Sequence, residues 1–151
     1  MIRRCSLICG FFLIILWVNG CATSGGAAGA VHLSWQPTAE ARAGAFGEVP
    51  VTVVLDEIRD DELGKILLTA LHERGLTVQK WIGGPLKYPV VKCRQQQQVN
   101  GTSLDVTLTV VVYDRQGHSV ARAEGTCTDC RDTDQFVPGV RQLATELARL
   151  R

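Results

Sequence analysis

The sequence predicts an α+β fold, in which a mostly antiparallel sheet of about five strands carries two helices on one face. Three patterns support this fold: β-branched runs that alternate with polar residues, two segments with an apolar residue every three to four positions, and glycine-containing turns between them. The predicted order is β-α-β-β-β-β-α. The 151-residue chain is long enough for one core of this kind.

The first strand and the first helix are predicted around residues 51–75. Residues 51–55 are apolar and mostly β-branched, as expected of a buried strand. Asp60 and Asp61 are suited to begin a helix, because carboxylates accept hydrogen bonds from its free N–H groups. Gly75 is suited to end that helix. Its predicted apolar face consists of Leu63, Ile66, Leu67, Ala70 and Leu71.

The next two strands are predicted over residues 76–82 and 89–99. The segment Gly83-Gly84-Pro85 separates them. Trp81 lies in the first of these strands and is expected in the core. The dipeptide Asn100-Gly101 then indicates a two-residue hairpin turn.

The last two strands and the second helix follow the hairpin. Alternating apolar residues predict a strand, namely Leu104, Val106, Leu108, Val110 and Val112. Residues 114–117 form a turn, and residues 118–127 form the returning strand. A helix is predicted from about Gln135, since Pro138 fits in a first turn. Its apolar face is Phe136, Val140, Leu143, Ala144, Leu147 and Leu150.

The amino-terminal segment has the pattern of an export signal. Arg3 and Arg4 precede an apolar run over residues 7–18, which is shorter than the ~20 residues of a membrane span. Gly20 and Cys21 follow, and the segment resembles a bacterial lipoprotein signal. That resemblance implies cleavage after Gly20 and lipidation of the Cys21 sulfur. An ordinary secretory signal with a chance cysteine is the alternative.

This interpretation divides the chain into a leader, a tether and one domain. The leader consists of residues 1–20. Residues 21–48 contain the lipidated cysteine, the flexible tether and the extended arm. The α+β domain consists of residues 49–151. Ala22 after the lipidated cysteine favours the outer membrane in Gram-negative lipoproteins, so we expect attachment at its periplasmic face. Acyl chains on Cys21 provide stable membrane attachment.

Composition and charge exclude several function classes. Removing Arg3 and Arg4 with the leader leaves 14 basic against 15 acidic residues, so the net charge gives no reason to expect binding to nucleic acid or to anionic lipid headgroups. The sequence contains no phosphate loop, zinc-protease motif or nucleophile elbow. We therefore expect no enzyme activity, no cofactor and no metal.

A second resemblance concerns the predicted domain. Residues 51–55 and 67–78, and the strand–turn–strand of residues 108–120, are similar to a group of envelope proteins. This group includes the amino-terminal domain of the Tol–Pal propeller protein, the curli-export and Pel-export lipoproteins, and the outer-membrane activator of a penicillin-binding protein. The resemblance covers residues 49–150. It implies a small α+β module that docks onto envelope proteins, and some of these relatives form rings, which leaves a homo-oligomer open. Asp56-Glu57 replaces the group's usual Pro-Phe.

The remaining cysteines are Cys93, Cys127 and Cys130. In an oxidising compartment the favoured arrangement is a local disulfide between Cys127 and Cys130, and pairing of Cys93 with either one is the alternative. A Cys-x-x-Cys pair is also the motif of thiol–disulfide oxidoreductases, but three aspartates near this pair disfavour the thiolate. Metal binding with His118 is a further alternative.

Three residues are candidates for partner contact. Gln95 and Gln97 lie in a glutamine run that can form an exposed strand edge, onto which another protein can add a strand. Trp35 lies in the arm, outside the predicted core. The predicted function is that of a lipid-anchored, non-enzymatic accessory protein of an envelope assembly for export, secretion, pilus formation or cell-wall synthesis. The alternatives are a periplasmic oxidoreductase that uses Cys127 and Cys130, and a lipid or glycan carrier.

Overall fold

A computed structural model describes residues 30–56, 58 and 61–151 as one sheet with helices on one face. Residues 1–29, which include Cys21, and Asp60 lie outside the described residues. The strands are β1 (Ser34–Pro37), β2 (Val51–Asp56), β3 (Val78–Lys80), β4 (Val90–Asn100), β5 (Ser103–Tyr113) and β6 (Ser119–Cys127). The helices are α1 (Asp61–Glu73) and α2 (Val137–Ala148), and a 3₁₀ turn over Thr133–Phe136 leads into α2.

The six strands lie in the order β1-β6-β5-β4-β2-β3. Three neighbouring pairs are antiparallel, and β2 runs parallel to both β3 and β4. Helix α1 connects β2 to β3, as a parallel pair requires a crossover. The predicted α+β class, the mostly antiparallel sheet and the two helices are confirmed. The sheet has six strands because β1 adds to the five predicted strands.

Helix α1 ends in a hydrogen-bonded cap. The Gly75 N–H donates to the carbonyl of His72 over 2.9 Å, and the Leu76 N–H donates to the carbonyl of Leu71 over 3.2 Å. These are the two bonds of a Schellman motif, in which glycine adopts a positive φ, here 79°. The chain therefore turns from α1 straight into the buried Leu76 and β3.

The β4–β5 hairpin turns one residue later than the sequence predicts. Asn100 is the last residue of β4 and pairs with Ser103, so Gly101 and Thr102 form the loop. Gly101 has φ 64°, the conformation that a type II′ turn needs at its first central position. Because successive side chains of a strand face opposite sides, this register decides which glutamines face the helices.

The core lies between the helices and one face of the sheet. The apolar faces predicted for both helices contribute, although Ile66 is only partly buried. Val106, Leu108, Val110 and Val112 of β5 are buried, which confirms the alternation predicted for that strand. None of the helices in the part of the chain that the structure describes is long and apolar enough to cross a membrane.

Residues from the predicted arm are packed into this core. Strand β1 pairs antiparallel with β6, with Trp35 opposite Ala123. Val31, Leu33 and Phe46 are buried. The expectation that Trp35 lies outside the core is wrong, because its side chain packs partly against the core residues.

Candidate interaction edge

Strand β4 extends beyond its neighbour β2, so within the part of the chain that the structure describes the last residues of β4 have no strand on that side. The parallel pairing of β2 with β4 ends where Asp56 aligns with Arg94, whereas the pairing of β4 with β5 continues to Asn100. Among the described residues, no strand pairs with residues 95–100 on the β2 side. We call residues 95–100 the β4 edge.

The peptide groups of alternate β4 residues point towards this open side. The Thr52 N–H donates to the carbonyl of Pro89 over 2.9 Å, which shows that odd-numbered residues direct their peptide groups to β2. Even-numbered residues therefore bond to β5. Following the same alternation, Gln97 and Val99 present their N–H and C=O groups beyond the end of β2. Such a row of unpaired peptide groups is a template for an added strand.

The side chains along the β4 edge differ from the predicted exposed glutamines. Gln95 lies opposite Leu108 on the helix side of the sheet and is only 5% exposed. The prediction that Gln95 offers an exposed side chain for contact is therefore wrong. Gln97 is exposed as predicted, and Val99 is 73% exposed. The Gln95 Oε1 is buried and accepts no hydrogen bond among the described residues, so a buried acceptor remains unused beside the free edge.

A groove of about 720 Å³ lies next to the β4 edge and crosses the sheet from β4 over β5 to β6. Its lining is uncharged apart from one carboxylate, and it consists of Gln95, Gln96, Gln97, Gln98, Asp105, Thr107 and Thr126. Amide and hydroxyl groups both donate and accept hydrogen bonds. The groove is therefore suited to an extended polar chain.

The hairpin that carries the β4 edge is braced at its tip. The Asn100 Nδ2 donates to Asp105 Oδ2 over 2.8 Å, and the Asp129 N–H donates to Asp105 Oδ1 over 3.1 Å. The Cys130 N–H donates to the carbonyl of Leu104 over 2.6 Å. The turn after β6 thus holds the start of β5 in place, and a fixed edge loses little conformational entropy when a partner binds.

Cys127 and Cys130 lie at disulfide distance within this turn, with their Cα atoms 5.3 Å apart. Cys127 is 4% exposed, and α2 begins only at Val137. A redox-active pair is typically accessible and stands at a helix N-terminus, which lowers the pKa of the attacking thiol. The geometry here is instead that of a cross-link between the end of β6 and the segment that leads to α2.

Cys93 is a free, buried cysteine on β4. Desolvation in the core raises the pKa of its thiol to about 12, so the thiol stays neutral at physiological pH. A neutral, buried thiol is neither a nucleophile nor a metal ligand. The alternative pairing of Cys93 with Cys127 or Cys130 is not formed.

His118, which the sequence offers as a metal ligand, lies beside Asp114 at the turn between β5 and β6. The ring Nδ1 of His118 is 3.5 Å from Asp114 Oδ2. The backbone N–H of His118 donates to the other carboxylate oxygen, Asp114 Oδ1, over 2.9 Å. In the described ranges, no group of three or more His, Cys, Asp or Glu side chains is placed to hold a metal ion.

Two exposed features escaped the sequence interpretation. The sequence predicts Val99 only as the last residue of a strand, yet its side chain is exposed on the β4 edge. Trp81 was expected in the core, but β3 ends at Lys80 and the Trp81 side chain is 39% exposed. The sequence does contain a sign that Trp81 is exposed. Gly83 and Gly84 follow it closely, and such a glycine pair indicates that the strand has already ended.

Comparison with known proteins adds little. No protein-family model matches the chain, and no curated protein matches it. Among solved structures, the chain is similar to a minor lipoprotein from Acinetobacter baumannii at 18% sequence identity and a TM-score of 0.34. That match covers 69% of this chain and 90% of the other.

Proposed function

We propose that this chain is a lipid-anchored, non-enzymatic accessory protein that presents the β4 edge to an extended segment of an envelope partner. The observation that carries the proposal is the end of β2 at Asp56, beyond which no strand of the described residues pairs with the outward peptide groups of Gln97 and Val99. Binding by strand addition uses main-chain hydrogen bonds for affinity and side-chain pockets for specificity. A second copy of the chain is one possible partner.

The proposed anchor is the lipidated Cys21, at the periplasmic face of a Gram-negative outer membrane. It rests on the basic start, the short apolar run and the Gly20-Cys21 junction of the sequence. A tether to the bilayer raises the effective concentration of the domain for any membrane-bound partner. A short docking edge is then sufficient for binding, because the anchor removes most of the entropic cost of association.

The alternative function, thiol–disulfide exchange by Cys127 and Cys130, has weaker support. Burial of Cys127 and the hydrogen bond from the Cys130 N–H to Leu104 favour a structural cross-link. A measured reduction potential distinguishes the two functions, since structural disulfides have potentials below about −300 mV. A higher potential together with refolding activity would favour the oxidoreductase.

The anchor is tested by replacing Cys21 with serine. We expect Cys21→Ser to reduce the amount of protein in the outer-membrane fraction on the order of tenfold or more, because two or three acyl chains are lost. The fold is expected to be unchanged. Cell fractionation measures the distribution, and mass spectrometry of the wild-type protein shows whether Cys21 carries the lipid. Cys5→Ser is the matched control, since Cys5 lies in the predicted leader and its loss leaves the anchor intact. A Cys21→Ser protein that still fractionates with the outer membrane contradicts the proposal.

The docking edge is tested by replacing Gln97 with proline. The Gln97 N–H points away from β5, so Gln97→Pro removes a donor from the open side without removing a hydrogen bond of the β4–β5 ladder. We expect the yield of a partner that co-purifies from native membranes to fall on the order of tenfold, the loss expected when key interface hydrogen bonds are removed. Thermal unfolding should change little.

Two further variants sharpen the experiment. Val99→Lys places a charge on the same edge and should have the same effect as Gln97→Pro. Thr69→Lys places a charge on an exposed position of α1 and should leave co-purification unchanged. Equal partner yields from Gln97→Pro and wild-type protein would exclude the β4 edge as the docking site.

A further inference from the structure

The loop between β3 and β4 displays most of the exposed apolar side chains of the described chain. We call residues 81–88 the Trp81 loop. Ile82 is 95% exposed, Leu86 and Tyr88 are each 41% exposed, and Trp81 is 39% exposed. The other exposed large hydrophobic residues in the described ranges are Val49 and Val99. Four exposed large apolar side chains within one eight-residue loop are unusual for a solvated surface and indicate a contact surface.

The backbone of the Trp81 loop is held in place at both ends. The Trp81 N–H donates to the carbonyl of Val53 over 2.8 Å, and the carbonyl of Pro89 accepts from Thr52. The indole Nε1 of Trp81 donates to the carbonyl of Gly84 over 3.2 Å. The Tyr88 ring packs edge-on against Tyr113, with 6.2 Å between the ring centroids. The apolar side chains are therefore displayed by an ordered loop.

The segment of sequence that contains the Trp81 loop is basic, although one of its lysines, Lys92, pairs with Asp56 of β2 over 3.1 Å. From Arg74 to Leu104 the sequence contains five basic residues and no acidic residue, the basic ones being Arg74, Lys80, Lys87, Lys92 and Arg94. Lys80 and Lys87 line a groove of about 220 Å³ together with Trp81 and Ile82. Tryptophan and tyrosine are enriched at membrane–water interfaces, and lysine is attracted to anionic headgroups there. The long lysine side chain can also lie along apolar surface while its ammonium group stays in water.

We propose that the Trp81 loop docks onto the surface of a bilayer that contains anionic phospholipids. Ile82 and Leu86 enter the boundary between headgroups and acyl chains, and Lys80 and Lys87 contact lipid phosphates. This inference rests on the proposed anchor, because a single loop binds a bilayer weakly and the tether keeps it within reach. Docking would fix the orientation of the domain relative to the membrane.

The tether is long enough for this arrangement. Residues 22–29 connect Cys21 to the described chain and span at most ~28 Å when extended. Strand β1, where the tether joins, and strand β3, next to the Trp81 loop, are opposite edges of the sheet. Six strands place these edges ~24 Å apart. Both the lipid and the Trp81 loop can therefore reach one bilayer.

The experiment uses the mature, lipidated protein in vesicles of phosphatidylethanolamine and phosphatidylglycerol. The sequence contains three tryptophans, and Trp17 is removed with the predicted leader, so Trp35→Phe leaves Trp81 as the single fluorophore of the lipidated protein. We expect acyl-chain-brominated lipids to quench its emission about twofold, because the indole lies at the depth of the interface. Trp81→Phe leaves only Trp35, whose emission should be unaffected.

Two changes should weaken the quenching of Trp81. Ile82→Ser removes the most exposed apolar side chain, and replacing phosphatidylglycerol with phosphatidylcholine removes the anionic headgroups. Flotation of the vesicles in the same samples reports the anchor. Protein that floats with the vesicles while Trp81 emission is the same in brominated and ordinary lipid overturns the loop proposal and assigns the patch to a protein partner. Protein that fails to float contradicts the proposed anchor instead.

Discussion

Replacing Leu33 with alanine is expected to lower the free energy of unfolding by about 2–4 kcal/mol, because the Leu33 side chain is buried and its loss leaves a cavity. Leu33 is 4% exposed. A Cβ at Gly125 of β6 would lie 2.7 Å from Leu33 Cδ2, and a Cβ at Gly139 of α2 would lie 3.1 Å from Leu33 Cγ. The side chain thus fills the space between a strand and a helix. Chemical denaturation monitored by circular dichroism measures the change.

His32→Ala is the matched control for Leu33→Ala. His32 is the adjacent residue and its side chain is exposed, so we expect a change within about 0.5 kcal/mol. If Leu33→Ala were as stable as His32→Ala, residues 31–33 would not belong to the core. The result matters for the anchor as well, because the tether would then join a loose arm instead of an edge strand of the sheet.

Replacing Gly139 with alanine is expected to destabilise the protein by about 2 kcal/mol, although alanine favours helices by up to ~1 kcal/mol over glycine. A Cβ at Gly139 would lie 2.5 Å from the carbonyl oxygen of Val31 and 3.1 Å from the Leu33 backbone nitrogen. Val31 cannot simply move aside, because its N–H donates to the carbonyl of Gln135 over 2.7 Å. The steric cost of displacing backbone therefore exceeds the gain in helix propensity.

Gly64→Ala in α1 separates the steric effect from the propensity effect. A Cβ at Gly64 would lie 2.8 Å from Leu55 Cδ1, which is the end of a flexible, half-buried side chain that can rotate away. We expect the stability of Gly64→Ala to stay within ~1 kcal/mol of the wild type. Thermal and denaturant unfolding of both variants provides the comparison. Equal stability of Gly139→Ala and Gly64→Ala would show that residues 31–33 do not pack against α2.

The Leu33→Ala and Gly139→Ala variants test the same structural feature, which is the insertion of residues 31–33 between β6 and α2. In the proposed lipoprotein the lipid anchor would pull on this segment first. Its burial means that the force is carried by the core and by the β1–β6 pairing, so the domain can stay folded while held at a membrane.

Much of the fold is predictable from local patterns. The alternation in residues 104–112 identifies β5, and the three-to-four spacing of apolar residues identifies the buried faces of α1 and α2. Local chemistry also accounts for the end of α1, since Gly75 takes the positive φ of its cap. The turn at Gly101 was located to within one residue, which was enough to predict the hairpin but not the faces of its glutamines.

The candidate site was predicted only in part. The glutamine run suggested an exposed edge, and Gln97 lies on one. The burial of Gln95 was not predictable, because it depends on the pairing of β4 with β5 and on the helix layer above. The exposure of Trp81 depends similarly on where β3 stops pairing with β2.

Local sequence patterns are enough to predict the types of the elements, their order, the apolar faces of the helices and the lipoprotein-like start, since each of these depends on residues close together in the chain. Long-range packing is needed to show that residues 34–37 form an edge strand, that β4 continues past the end of β2, and that Trp81 is displayed on an ordered loop. The reason is physical: periodicity of side chains sets local conformation, whereas strand partners and free edges depend on contacts between residues that are far apart in sequence.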